Sequence, residues 1–196
     1  MVNRLPFTIL LVGISIAIIV LAMRFMSSDI ERDIKAKYLK AGDFDLLHEG
    51  KAFSLGQLRG HPVILYFGYT YCPDVCPVGL SKIRDVLSSH EDFKDVPALF
   101  ITVDPHRDDD KRLKEYTGFF HPNIIPLSGS VEQITSVSSA YGTFFRSGRE
   151  KAGEGNSYTV DHSAFVYLLD DQGRLMRVLD HDVQAEQISE LLHKLL

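Results

Sequence analysis

Val63-Ile64-Leu65-Tyr66-Phe67-Gly68-Tyr69-Thr70-Tyr71-Cys72-Pro73-Asp74-Val75-Cys76-Pro77 runs from an apolar segment into two cysteines four residues apart. Its first five residues, Val63 to Phe67, are aliphatic or aromatic, as in a short central strand covered on both faces. Cys72 and Cys76 are the only cysteines of the chain. Pro77 cannot lie inside a helix that began at Pro73, because its missing N–H would break the bond to the carbonyl four residues back. The spacing therefore predicts a helix opening at Pro77, in its first position, with Cys76 as the cap residue. Cys72 then stands in the loop after the strand. Both sulfurs face the positive end of a helix dipole, where thiolates are favoured.

Downstream, Leu80, Ile83 and Leu87 have helical spacing, Pro97 to Val103 is a second apolar strand, and Leu113, Tyr116 and Phe120 repeat the helical pattern. Ile124 to Leu127 is a short strand. Ser130 with Gln133 forms a capping box ahead of a helix bearing Val131, Ile134, Val137 and Tyr141, which ends near Gly142. Ser147 to Ser157, with three glycines and four charges, reads as a mobile surface loop. Two strands follow, Ala164 to Leu169 and Leu175 to Leu179, joined by a turn at Asp170 to Gly173. A last helix carries Ile188, Leu191, Leu192 and Leu195. Upstream, Phe44 to Leu47 and Phe53 to Leu55 flank His48, Glu49 and Gly50 as a hairpin. The order strand, helix, strand, helix, then hairpin and helix predicts an α/β fold: a mixed sheet with helices on both faces.

Leu5 to Met23 holds 19 residues without a charge, and about 20 apolar residues span a bilayer core of about 30 Å. The run is longer than a usual signal-peptide core and Leu21-Ala22-Met23-Arg24 offers no small-residue cleavage site, so an uncleaved anchor is expected. The division is a tail at 1–4, a transmembrane helix at 5–26, a stalk at 27–42 and a domain at 43–196. Arg4 alone precedes the uncharged run Leu5 to Met23, while Arg24, Arg32, Lys35, Lys37 and Lys40 follow it. Charge alone would put the domain in the cytoplasm. With 45% hydrophobic and 24% charged residues the composition is that of a folded domain. A net charge of −5 without basic clusters argues against nucleic acid as a partner.

A structural disulfide between Cys72 and Cys76 would close a very small loop and stiffen little. A helical i, i+4 pair has Cβ atoms about 5 to 6 Å apart against the roughly 3.5 to 4.5 Å of a disulfide, a gap that a loop can close. The pair is thus expected to be reversibly oxidisable or metal-binding. Among eight histidines, His162 in Asp161-His162-Ser163 stands out, at the join of the mobile loop and the strand from Ala164. Two thiolates and an imidazole suit Cu(I); the same set can hold Zn(II) or Cu(II) with an added water or carboxylate. Asp104, Asp161 and Tyr71 are candidates for supporting this site: Asp161 could orient His162, whereas Asp104 could simply cap a turn. His106 and His121 read as surface residues.

Three ordered motifs carry a resemblance. They are Tyr66 to Pro77, then Ile101-Thr102-Val103-Asp104-Pro105 with Arg107 and Asp108, then Val160-Asp161-His162-Ser163. From about Phe44 to its C-terminus the chain resembles the Sco/SenC family, copper chaperones for the CuA centre of cytochrome c oxidase with a thioredoxin-like fold. The resemblance implies copper, as Cu(I) and also Cu(II), on Cys72, Cys76 and His162, and a carrier rather than an enzyme. It implies as partners the CuA-bearing subunit and a copper donor or thiol reductant. It also places the domain on the periplasmic side of a bacterial inner membrane, or in the mitochondrial intermembrane space, against the charge count. The alternative is a thiol-disulfide oxidoreductase that reduces the CuA subunit's cysteines, or a redox sensor, with Cys72 and Cys76 as the redox pair. Thioredoxin-type oxidoreductases have two residues between their cysteines and a cis proline before the facing strand. Here three residues intervene and no proline lies between Tyr158 and Asp170.

Overall fold

The computed structural model describes residues 41–147 and 158–196, and within the first forty residues only Ile14, Ala17 and Ile18, which are helical and exposed. Nearly all of the expected anchor at 5–26 and of the stalk, and the core of the expected mobile loop, therefore lie outside the described residues. Among the described residues no helix is long and apolar enough to cross a membrane.

β1 (Asp45–His48) and β2 (Lys51–Ser54) form the expected hairpin, with Leu46 opposite Phe53. Its turn is only Glu49-Gly50, at φ of 48° and 72°. Two left-handed residues give the turn twist that matches the strands, so His48 is freed to extend β1. β3 (Val63–Gly68) is buried at every position, because strands flank it on both edges and helices cover both faces. α1 (Val75–Ser89) follows, then β4 (Ala98–Thr102), α2 (Asp110–Phe120), β5 (Ile124–Leu127) and α3 (Val131–Ala140). The capping box is formed, with the Ser130 hydroxyl accepting from Gln133 N–H and the Gln133 side chain accepting from Ser130 N–H. A short ribbon of β6 (Phe145–Ser147) and β7 (Val160–His162) comes next. β8 (Val166–Leu169), β9 (Leu175–Leu179) and α4 (Ala185–His193) complete the chain.

The main sheet has the order β5-β4-β3-β8-β9, with β3, β4 and β5 parallel and β8 and β9 antiparallel to their neighbours. Side-chain alternation along β3 divides the core. Tyr66 stacks beside Phe100, which meets Tyr116 of α2, while Phe67 points to the opposite face and meets Tyr141 and Tyr167. α1, α2 and α4 cover the first face; α3 and the β1–β2 hairpin lie toward the second. The mixed sheet with helices on both faces is as the sequence predicts. Loops gather at the carboxyl end of β3, where α/β sheets bind ligands.

Candidate metal centre

The peptide leaves β3 at Gly68, where a Cβ would stand 2.7 Å from the Cys76 sulfur and 2.8 Å from the Phe100 ring. Only glycine lets the cysteine approach the strand this closely. A tight turn follows, in which Cys72 N–H donates to the Tyr69 carbonyl at 3.2 Å. Asp108 locks the turn from below: its buried carboxylate accepts from Thr70 N–H, from the Thr70 hydroxyl and from the Thr102 hydroxyl. Burial raises the Asp108 pKa, against the pull of these hydrogen bonds. α1 then begins at Val75, with Asp74 as its cap residue, two residues before the start expected from Pro77. Pro77 occupies the third helical position. The first four N–H groups of a helix have no internal partner, so a proline there breaks nothing. Cys76 thus lies inside the first turn, fully buried, while Cys72 in the loop is 9% exposed.

His162 reaches the cysteines from β7, paired to β6 with Phe145 opposite it. Its Nε2 lies 3.2 Å from the Cys76 sulfur and its Nδ1 lies 3.2 Å from the Val160 carbonyl oxygen. A carbonyl only accepts, so Nδ1 donates to it and Nε2 is left facing the sulfurs. Tyr69 fixes this arrangement twice. Its hydroxyl accepts from Val160 N–H at 3.2 Å, and its ring meets the imidazole edge-on at 5.4 Å. The Cys72 and Cys76 sulfurs and a His162 ring nitrogen all lie within 4.8 Å of one another, positions from which they could share one metal ion.

Both cysteines are free thiols, in different surroundings. The Cys76 side chain donates to Cys72, and the backbone N–H groups of Asp74 and Cys76 also favour charge there, which brings the Cys72 pKa down to about 5. Cys76 is pushed up because its proton is held in that bond and the site is buried. Burial likewise raises Tyr66, whose hydroxyl lies near both sulfurs and donates to the Val75 carbonyl. At neutral pH the pair is one thiolate and one thiol, so binding a soft cation on both sulfurs requires Cys76 to give up its proton.

The supporting residues differ from those expected. Asp161 is exposed and opposite Arg146 in the ribbon. Neighbouring residues of a strand point to opposite faces, so the Val160 carbonyl orients His162 in its place. Asp104 is buried and holds Arg107 through its Nε at 2.5 Å and the Tyr158 hydroxyl at 2.7 Å. It caps no exposed turn. Tyr71 lies at the rim with its ring under Arg112 at 3.8 Å and near Arg107 at 4.6 Å. Arg107 also stacks over Tyr158 at 3.5 Å and donates to its carbonyl, joining the segment after β4 to the one that enters β7. Tyr69 escaped the sequence reading, although aromatic residues in the loop after a central strand are a usable signal. His106 is exposed as expected. His121 is partly buried, accepts from Asn123 N–H and has its pKa lowered by burial.

A model of the family described as SCO1/SenC matches residues 32–196, which include the whole of this site. The chain belongs to the SCO1/SenC family. A SCO2-like protein of Rickettsia prowazekii is 41% identical over 152 residues, covering 76% of this chain and 74% of its own length. The human mitochondrial SCO2 homolog is 38% identical over 157 residues, covering 78% of this chain but 58% of its own length. Bradyrhizobium japonicum ScoI, whose structure is described as having copper bound, superposes with a TM-score of 0.71 at 35% identity, covering 80% of this chain and 99% of ScoI.

Proposed function

We propose that this protein is a membrane-anchored copper chaperone that holds copper on Cys72, Cys76 and His162 and delivers it to the CuA-bearing subunit of cytochrome c oxidase. The observation that carries the reading is the convergence of two sulfurs and an imidazole nitrogen within 4.8 Å. Such a soft, three-donor set matches the preference of Cu(I), and Cu(II) would favour the imidazole. The SCO1/SenC membership and the copper-bound ScoI relative support the same cargo. In this reading the protein is a carrier, not an enzyme. Residues 5–26 anchor it in the inner membrane and residues 27–42 hold the domain on the periplasmic side, or in the intermembrane space of a mitochondrion. The recipient is named from the family resemblance. The test is transfer: Cu(I)-loaded protein is mixed with the copper-free CuA subunit, the two are separated, and copper is measured in each. Chaperone function requires copper to move to the subunit, and to move less from protein loaded as His162→Ala. Copper retained by the donor at every ratio would reject it.

A second reading, a reductase of the CuA subunit's cysteines or a redox sensor, is favoured by the unequal thiols. A Cys72 thiolate can attack a disulfide of the recipient, releasing one recipient thiol and forming a mixed disulfide. Cys76, losing its proton, then attacks Cys72; the recipient leaves as a dithiol and this chain as a disulfide. His162 is dispensable for that exchange. A His162→Ala protein that reduces the subunit at the native rate but has lost copper transfer separates the two activities.

A further inference from the structure

We infer that the cleft between α1 and α4, at the end of the molecule away from the cysteines, is a second cation site, built for a divalent transition metal such as Zn(II) or Cu(II). The two helices lie side by side with their C-termini together: Ser89 and Ser189 are joined through their hydroxyls at 3.2 Å, and His90, which ends α1, meets His193, the last residue of α4, with ring centroids 4.7 Å apart. A cleft of about 290 Å³ opens between them, lined by Asp85, Glu186, Glu190 and both imidazoles. Asp85 is paired with Arg84, but Glu186 and Glu190 make no ion pair or hydrogen bond through their carboxylates among the described residues.

Four observations point to a cation. The imidazoles come from different elements yet meet edge to face beside Phe93, and no ring nitrogen of either makes a hydrogen bond among the described residues; the same holds for His61 and His106, whereas His48, His121, His162 and His181 are bonded. Glu190 and His193 are three apart on one helical face, the Glu-x-x-His spacing that brings a carboxylate and an imidazole to one ion. Glu186 and Glu190 are four apart, a like-charge spacing that a cation would relieve. The negative ends of two helix dipoles meet at the cleft. Two imidazoles and a carboxylate suit Zn(II), Cu(II) and Ni(II) rather than Cu(I), so the cleft differs in ligand type from the cysteine centre. It is also remote. Cys76 and Ser89 lie near opposite ends of a 15-residue helix, on the order of 20 Å apart at 1.5 Å per residue. The carboxylates do not yet converge with the rings; Glu190 is exposed and free to rotate onto a bound ion.

The test uses the full chain in detergent with Cys72→Ser and Cys76→Ser, which silences the thiol centre. Zn(II) is titrated by calorimetry and counted by equilibrium dialysis. One equivalent should bind, and His90→Asn or His193→Asn should each weaken it by about tenfold or more, with Glu190→Gln weakening it less. All three side chains are exposed, so circular dichroism should be unchanged. With Cu(II) as probe, the ring protons of His90 and His193 should broaden before those of other histidines. Absence of a Zn(II) equivalent, or affinity unaffected by both histidine changes, overturns the inference; so does first broadening at another histidine.

Discussion

Cys72 and Cys76 have the same side chain and opposite acidity because one proton is placed between them. Cys72 receives that proton's hydrogen bond together with backbone N–H groups, and Cys76 is enclosed by Tyr66, Gly68 and the first turn of α1. The Cys72 pKa of about 5 sits below the ordinary thiol value of about 8.5. Raising pH through 5 therefore exposes a thiolate at Cys72, while Cys76 stays protonated well past neutrality. Alkylation by iodoacetamide, resolved by site with mass spectrometry, should rise around pH 5 at Cys72 and remain slow at Cys76. Replacing Cys76 by Ala, which has no proton to donate, should return the Cys72 midpoint toward that of a free thiol, since the hydrogen bond from the Cys76 sulfur is the largest influence holding it down. Equal rates at both cysteines across pH 5 to 8 would contradict this account of the pair.

Each ligand belongs to a different kind of element, a turn, a helix start and a two-stranded ribbon, so the centre is only as rigid as their joints. Tyr69 is the joint between turn and ribbon. Tyr69→Phe keeps the ring against His162 but deprives Val160 N–H of its acceptor, and Val160 is the residue whose carbonyl orients the imidazole. A lost partner of that kind typically lowers metal affinity by about 10- to 100-fold. Competition with a Cu(I) chelator should show a loss in this range, with the thiol count unchanged; native affinity would mean that β7 is held by other contacts. Legibility also divides by element. The apolar run at Val63, the capping box at Ser130 and the helical spacings were readable because burial and caps leave local patterns. Pro77 could bound the start of α1 only to within its first turn, since no helical N–H is needed there. The β6–β7 ribbon was not readable: three residues per strand carry too little alternation, and residues 148–159 separate the strands in sequence.

Across the whole molecule, the site depends on contacts that sequence order hides. Cys76 and His162 are 86 positions apart, and no periodicity reports that β8 lies antiparallel beside β3 and brings its neighbour β7 over the sheet end. The resemblance of three ordered motifs supplied that meeting, and the geometry now gives it distances. Asp104 and Arg107 hold the same end together from β4, at 2% and 5% side-chain exposure. Removing one partner of such a buried pair leaves a charge uncompensated, typically at a loss of about 3 to 5 kcal/mol. Asp104→Ala should therefore lower the denaturation midpoint in urea sharply, and a change under about 1 kcal/mol would show that Tyr158 and water suffice for Arg107. The central claim is that two sulfurs and one imidazole share one metal ion. X-ray absorption of the reduced, Cu(I)-loaded protein tests it most directly. It should show two sulfur ligands and one nitrogen ligand in the native chain, with the nitrogen lost in His162→Ala; a native spectrum with sulfur alone, unchanged by His162→Ala, would contradict it.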